Sequence, residues 1–187
     1  MRLSTLIASA LFAAGLMTAS AASAADTITI ELKSGPVVIE LASDTAPKHA
    51  ARLKELADAG AYDGVVFHRV IDGFMAQTGD VEFGNTTKGF SLERAGTGGS
   101  KLPDLPAEFT SEPFERGTVG MARSSNPDSA NSQFFIMFSK YPSLDGKYTI
   151  VGHVVSGMEN VDKIKRGEGG NGEVSDPDTM ISVKSGS

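Results

Sequence analysis

A chain of 187 residues is long enough for one well-buried domain and too short for two large ones. Its hydrophobic (40%) and charged (21%) fractions are those of an ordinary soluble globular protein. The formal net charge of −6 argues against nucleic acid or an anionic membrane as a partner, because both need a basic face, and the absence of cysteine excludes a disulfide framework.

The first segment has the pattern of a cleaved export signal. Arg2 gives a positive start, an apolar core runs from Leu6 to Met17, and small residues follow. The core is shorter than the roughly 20 residues of a membrane span, so a cleaved signal is favoured over a membrane anchor. We predict a signal over residues 1–25, with cleavage after Ala24 or Ala25. Loss of Arg2 then changes the net charge from −6 to −7, and the mature domain covers residues 26–187.

A hairpin and a helix open the predicted domain. Apolar and polar residues alternate in Thr27–Leu32 and again in Val37–Leu41, which predicts two strands that share one buried face. Pro47 suits the first turn of a helix, and Gly60 supplies its stop. The apolar residues at helical spacing between them are Ala50, Leu53, Leu56 and Ala57.

Short strands dominate the rest of the chain. Five further apolar runs have strand length and are bounded by Gly, Pro, Asp or Asn: Val65–Ile71, Phe74–Gln77, Thr118–Ala122, Phe134–Phe138 and Tyr148–Val155. Val81–Pro113 is rich in Gly, Thr and Pro and is interpreted as long loops. A second helix is predicted at Met158–Arg166 and a last strand at Thr179–Lys184. Many strands and only two helices indicate a β-barrel or sandwich.

The motifs of most enzyme classes are missing. Three isolated His and no Cys do not form a metal cluster, and neither a nucleophile elbow nor a P-loop occurs. Gly96-Thr97-Gly98-Gly99 lacks the spacing of a nucleotide-binding loop and is interpreted as a turn. We therefore expect no metal and no cofactor.

Two segments mix single polar side chains with large apolar ones. One is Phe67–Asp80, and the other combines Met121–Arg123, Ser132–Ile136 and Leu144–Lys147. Because side chains alternate along a strand, Arg69 would share a face with apolar neighbours. Taken singly, these residues are also compatible with an ordinary core and a surface ion pair.

Taken together, the segments resemble the cyclophilin family of peptidyl-prolyl cis-trans isomerases. Phe67–Asp80 matches the family's Phe-His-Arg-(aliphatic)2-x-Gly-Phe-Met-x-Gln-x-Gly-Asp signature. Ser132–Ile136 and Leu144–Lys147 match its Ser-Gln-Phe-Phe-Ile strand and Leu-Asp-Gly-Lys loop, and the similarity spans Thr27 to Val183. The resemblance implies an all-β fold, an eight-stranded antiparallel β-barrel closed by two α-helices. It also implies a periplasmic, monomeric isomerase whose partners are proline-containing polypeptides.

The resemblance assigns roles within a groove on the outer surface of the barrel. Arg69 matches the family's catalytic arginine, and Gln77 matches the glutamine beside it. The residues that match the remainder of the substrate groove are Phe74, Met75, Ala122, Arg123, Gln133, Phe135, Leu144 and Tyr148.

The sequence also departs from the family pattern. Arg123 stands where many members have Asn, Ser143 where cyclosporin-sensitive members have Trp, and Tyr148 where many have His. Ser124–Asn131 lies in a stretch one residue longer than the common pattern and is not aligned. His68, inside the first motif, is interpreted as a structural hydrogen-bonding residue rather than an acid or base.

Two other classes of function remain open from the sequence. The domain could bind peptides or hold unfolded chains without catalysis, or it could be a structural β-domain with no site. The presence of every catalytic-type side chain disfavours the first alternative. The length of the Phe67–Asp80 match disfavours the second.

Overall fold

A computed structural model describes residues 25–186, so the predicted export signal lies, apart from Ala25, outside the described residues. The strands are β1 (Thr27–Leu32), β2 (Gly35–Leu41), β3 (Arg69–Ile71), β4 (Met75–Thr78), β5 (Thr118–Met121), β6 (Phe134–Met137), β7 (Ile150–Ser156) and β8 (Ser182–Gly186). The helices are α1 (Pro47–Asp58) and α2 (Met158–Val161), and a single 3-10 turn covers Pro142–Leu144. Within residues 25–186, neither α-helix has the length and apolar character needed to cross a membrane.

All eight strands belong to one antiparallel sheet in the order β3-β4-β6-β5-β7-β2-β1-β8. The sheet curls into a half-barrel with two helices, which confirms the predicted strand number, strand direction and helix number. The strands at its two ends, β3 and β8, form no ladder with each other, and a single bridge between Val66 and Thr179 joins the segments that precede them. Closure into a complete barrel stays a prediction.

The inner face of the curled sheet holds the main core. β1 and β2 pair as the predicted hairpin, and their alternate apolar residues, from Ile28 to Leu41, are buried. Helix α1 begins at Pro47 as predicted and lies against β1 and β8. Its four predicted apolar residues are all buried, so helical spacing correctly identified the face that covers the core.

Three predicted boundaries were wrong by three or more residues. The strand predicted at Val65–Ile71 begins at Arg69, because Val65 and Val66 form only isolated bridges, to Asn85 and Thr179. The second helix ends at Val161 rather than Arg166. The Ser34 hydroxyl donates to the Asn160 carbonyl, and the Lys163 and Ile164 N–H groups bond three residues back, to Asn160 and Val161, rather than four. The last strand begins at Ser182 rather than Thr179 because Thr179 bridges to Val66 instead of continuing the β8 ladder. Such contacts between distant segments do not change the spacing of apolar residues along the chain, so that spacing does not predict them.

The long segment 81–113 contains no helix and no strand of the sheet, as predicted, and only isolated bridges at Asn85 and Leu105. It is nevertheless tied to the domain. Glu108 accepts hydrogen bonds from the Lys48 and His49 main-chain N–H groups in the first turn of α1 and from the buried His49 ring. The segment is therefore an ordered loop that passes beside the groove described next.

Candidate active site

A second, smaller apolar cluster lies apart from the main core. Its buried members are Met75, Phe114, Phe135, Met137 and Ile150, contributed by β4, β6, β7 and the loop before β5. The pairing of β4 with β6 brings several of these side chains together. Met75 lies opposite Met137, and Gln77 lies opposite Phe135. Partly buried apolar side chains from neighbouring loops pack against this cluster and form the wall of a pocket.

The pocket has a volume of about 150 Å³ and brings together nine of the ten residues predicted from the sequence. These are Arg69, Phe74, Met75, Gln77, Ala122, Arg123, Phe135, Leu144 and Tyr148. Gln133, the tenth, lines the adjoining pocket and hydrogen-bonds to Gln77. Residues that are as much as 79 positions apart in the sequence therefore share one site.

Arg69 lies at the polar edge of the pocket. It faces Gln77 across the β3–β4 pair, and its Nη1 donates to Gln77 Oε1 at 3.3 Å. Its Nε donates to the Asn171 carbonyl at 3.0 Å. No carboxylate of residues 25–186 lies within the 4.0 Å that defines a salt bridge to this guanidinium. The ion-pair alternative for Arg69 therefore has no partner in the described part of the chain.

Arg123 forms the rim between the small pocket and a larger one of about 520 Å³. Its guanidinium carbon lies 4.4 Å from the centre of the Tyr148 ring, a cation–π distance. Nη2 donates to the Lys147 carbonyl at 2.8 Å, and Nη1 donates to the Ser124 carbonyl at 2.8 Å. The side chain of Arg123, and not only its backbone, thus shapes the groove at the position where the family pattern has Asn.

Aromatic contacts stiffen the apolar wall. The Phe135 ring stacks on Phe114 with centroids 5.9 Å apart and meets Tyr148 edge-on at 5.8 Å. Phe74 lies against Tyr141 at 4.3 Å. Phe114 and Tyr141 were missed from the sequence because they lie outside the matched motifs. Asn171 was missed as well, and its contribution is a main-chain carbonyl that any residue type would provide.

His68 was interpreted as a structural hydrogen-bonding residue rather than an acid or base. Its side chain is buried, and neither ring nitrogen meets the distance and angle criteria of a hydrogen bond to a described residue. The Val66 main chain is a hydrogen-bonding neighbour with the smallest effect on the His68 pKa. Burial lowers the pKa of His68 to about 4, against a smaller opposing effect of Asp80. The ring is therefore neutral at neutral pH, and it packs against Gly96, where an added Cβ would lie 3.0 Å from ring atoms.

A family model described as "Cyclophilin type peptidyl-prolyl cis-trans isomerase/CLD" matches residues 27–185. A probable peptidyl-prolyl cis-trans isomerase of Brucella suis is 63% identical over 173 residues, which cover 92% of this chain and 88% of that protein. The peptidyl-prolyl cis-trans isomerase-like 3 protein of Gallus gallus is 37% identical, with 74% of this chain and 81% of that protein covered.

Solved structures give the same result for the fold. A cyclophilin-type isomerase of Cryptosporidium parvum, crystallised in the presence of the dipeptide Ala-Pro, superposes with a TM-score of 0.73 at 26% identity. The match covers 86% of this chain and 99% of that one. The cyclophilin AquaCyp293 of Hirschia baltica gives a TM-score of 0.67 at 25% identity, covering 84% and 72% of the two chains.

Proposed function

The chain belongs to the cyclophilin family of peptidyl-prolyl cis-trans isomerases, and from this premise we propose that it accelerates rotation about Xaa-Pro bonds of exported proteins with Arg69 as the catalytic group. The observation that carries the proposal is the position of Arg69. Its charged guanidinium, unpaired with any described carboxylate, lies at the edge of a small apolar pocket. A proline ring in that pocket would bring its amide to the arginine.

The reaction needs no covalent step. Rotation requires the amide to lose its resonance, against a barrier of roughly 18–20 kcal/mol. A donor that binds the pyramidal nitrogen of the twisted amide better than the planar ground state lowers that barrier. Arg69 is permanently protonated and presents a rigid fork of donors, which suits this task. Two of its N–H groups bond to Gln77 and Asn171, and the remaining donors are left for the substrate.

The apolar wall and the glutamines supply positioning. Met75 and Phe135, both nearly buried, form the wall against which a proline ring would pack. Gln77 orients the arginine, and Ala122 and Arg123 supply the backbone that would pair with an extended substrate. The Ala-Pro dipeptide in the crystals of the Cryptosporidium parvum relative supports a proline-containing polypeptide as the substrate.

The clients would be proteins outside the cytoplasm. Arg2, the apolar core Leu6–Met17 and the small residues that follow support export to the periplasm. There the mature domain would act as a monomer that is not held by a membrane.

A protease-coupled isomerisation assay on purified residues 26–187 tests the proposal. The protein should accelerate cis-to-trans conversion of a short peptide that contains one Xaa-Pro bond. Binding of the same peptide without acceleration would instead favour the peptide-binding or holdase alternative.

A further inference from the structure

The buried carboxylate of Asp80, at the end of the first motif, has no role in the function proposed so far. We propose that Asp80 is a positioning residue for the isomerase reaction. It fixes a glycine loop whose carbonyl groups orient Gln133, Gln77 and, through them, Arg69. The proposal rests on the proposed function, because it assigns Arg69 the catalytic contact with substrate.

The first step is the loop that Asp80 holds. Its side chain is 0% exposed, and its carboxylate accepts four main-chain hydrogen bonds. Oδ1 accepts from Glu82 at 3.1 Å and Phe83 at 2.9 Å, and Oδ2 accepts from Gly96 at 2.7 Å and Gly98 at 2.9 Å. Hydrogen bonds to an ionised acceptor are about twice as strong as neutral ones. One carboxylate therefore joins two stretches, residues 82–83 and 96–98, of the long loop between β4 and β5.

The loop can approach the carboxylate because it contains glycine at the contact points. A Cβ on Gly98 would lie 2.5 Å from Asp80 Oδ1 and 2.8 Å from the Glu82 Cβ, so any side chain would force the loop away. Gly96 has a φ of +95°, which side chains rarely adopt. The glycine cluster Gly96–Gly99, which was interpreted from the sequence as a simple turn, is thus the part of the site that donates hydrogen bonds to the Asp80 carboxylate.

The second step is the orientation that the loop gives to the side-chain amides of Gln133 and Gln77. Gln133 Nε2 donates to the Gly96 carbonyl at 3.0 Å and to the Gly98 carbonyl at 2.7 Å. An amide that turns its NH2 group toward two carbonyls must turn its oxygen away. That oxygen accepts from Gln77 Nε2 at 3.0 Å, which leaves Gln77 Oε1 to accept from Arg69 Nη1 at 3.3 Å.

The polarity of this series of hydrogen bonds is fixed at both ends, by the Gly96 and Gly98 carbonyls, which only accept, and by the Arg69 guanidinium, which only donates. If either glutamine amide were reversed, it would place donor against donor or acceptor against acceptor at both of its contacts. The carbonyl pair held by Asp80 therefore sets the position of the Gln133 amide, and through Gln77 it sets the position of the oxygen that Arg69 meets. Because displacements near 1 Å can cost as much as about 100-fold in rate, a disturbed loop should reduce turnover.

Two variants test this series of hydrogen bonds from the Asp80 side and leave Arg69, Gln77 and Gln133 unchanged. Asp80→Asn keeps the shape but gives the loop an NH2 group in place of one acceptor. Gly98→Ala keeps the carboxylate and displaces the loop. We expect each to lower kcat about tenfold with KM within about twofold of the unmodified protein. Gly89→Ala is the control, because Gly89 lies in the same loop with φ of +113° and has nothing within 4 Å of the added Cβ.

A positioning role is separated from loss of stability by combining each variant with Arg69→Ala. If Asp80 and Gly98 act through Arg69, their effects on kcat should nearly vanish in that background. The NMR signal of the Arg69 Nε–H group, assigned by its loss in Arg69→Ala, should also shift in the free Gly98→Ala protein but not in Gly89→Ala. Stability losses alone would not produce this pattern.

The proposal is overturned if Asp80→Asn and Gly98→Ala lower kcat by the same factor in the Arg69→Ala protein as in the unmodified protein. It is overturned equally if Gly98→Ala has the same kcat as Gly89→Ala. It is also overturned if the Arg69 signal does not move. Failure of the proposed function gives a different result: the unmodified protein would not accelerate isomerisation, or Arg69→Ala would remain as active as the unmodified protein.

Discussion

Arg69 is held by neutral partners, and this affects what its charge can do. A carboxylate beside the guanidinium would neutralise much of its field and compete for its donors. The Gln77 side chain and the Asn171 carbonyl instead fix the orientation of the group from two sides while leaving its net charge in place. Such an arrangement suits a donor that must bind a transient charge distribution on the substrate.

Replacement of Arg69 is the most direct test at the residue scale. Arg69→Ala should lower kcat/KM by about 100-fold or more, which is about 3 kcal/mol of transition-state stabilisation. Arg69→Lys should recover little activity because an ammonium lacks the planar fork of donors. The thermal midpoint should barely change in either variant, since Arg69 has no ion-pair partner among the described residues.

The isomerase rate and the thermal midpoint are measured on the same two proteins. An Arg69→Ala protein that is active but destabilised would show that the arginine is structural, and the assignment of the mechanism would then be wrong.

The residues of the pocket could be predicted from the sequence because their side chains are distinctive. Arg69, Gln77 and Phe135 occur in motifs that match a family. Main-chain contributions could not be predicted in this way. The Asn171 carbonyl and the Gly96 and Gly98 N–H groups act through atoms that every residue possesses, so their role becomes visible only when the fold brings them to a partner.

At the scale of elements, β3 lies at one end of the sheet, and its outer edge is occupied by a loop. The Val70 N–H donates to the Gly172 carbonyl at 2.7 Å, and the Gly167 N–H donates to the Val70 carbonyl at 2.8 Å. Between these contacts, the loop presents the Asn171 carbonyl to Arg69. The loop therefore both covers a free strand edge and fixes one side of the guanidinium.

A pair of glycine variants tests this second role. Gly172 has a φ of +72°, and an added Cβ would overlap the Ile71 side chain and lie 2.9 Å from the Val70 carbonyl. Gly172→Ala should push the loop off β3 and lower kcat about fivefold or more by moving the Asn171 carbonyl. Gly169→Ala is the matched control, because its φ is +68° but nothing lies within 4 Å of the added Cβ.

Both variants incur the cost of a side chain at positive φ, roughly 1–2 kcal/mol in the free energy of unfolding. Only Gly172→Ala should also lose turnover when kcat and the denaturation midpoint are measured together. Equal kcat values for the two variants would show that the loop does not position Arg69.

Helices and strands could be predicted where the spacing of apolar residues in the sequence matches the residues that the fold buries. Alternation gave the β1–β2 hairpin, and helical spacing with Pro47 and Gly60 gave α1. The early end of α2 could not be predicted because it depends on a hydrogen bond from Ser34, more than 120 residues away in the chain. Long-range contacts of this kind decide boundaries, while the existence of an element follows from its own residues.

For the whole molecule, two buried histidines link folding to pH. Burial is the main cause of the lowered pKa of both His49 and His68, and it brings that of His68 to about 4. The unfolded chain, with a His pKa near 6.5, takes up these protons more readily than the folded one. Stability from the neutral histidines is therefore fully present above pH 6.5 and is lost as the pH falls toward 4.

Urea denaturation between pH 7 and pH 4 measures this loss. For His68 the difference between a pKa of 6.5 and one of about 4 corresponds to about 3 kcal/mol in the free energy of unfolding. His68→Leu should flatten the pH dependence by about that amount, because leucine cannot take up the proton that the unfolded chain binds at this position. His153→Asn, at a half-buried histidine that lies 2.9 Å from the Glu112 carboxylate, is the control. Parallel curves for His68→Leu and the unmodified protein would show that folding does not lower the pKa of His68.

Export is the prediction that concerns the whole chain. Among residues 25–186, Asp26 is the first whose hydrogen bonds to the rest of the domain are seen. Its carbonyl accepts from the Leu41 N–H at 2.8 Å, and its carboxylate accepts from Ser43 Oγ at 2.9 Å and pairs with Lys54. Cleavage after Ala24 or Ala25 would leave all three contacts intact, whereas cleavage further along would remove them.

Fractionation of cells that produce the full chain should therefore recover from the periplasm a protein whose first residue is Ala25 or Asp26. Leu11→Lys, which places a charge in the apolar core of the signal, should retain the uncleaved chain in the cytoplasm. Ser4→Lys adds the same charge to the already positive start and should be exported normally, which makes it the matched control. If the unmodified chain keeps Met1 and stays in the cytoplasm, or if both variants are exported equally well, residues 1–25 are not a cleaved export signal.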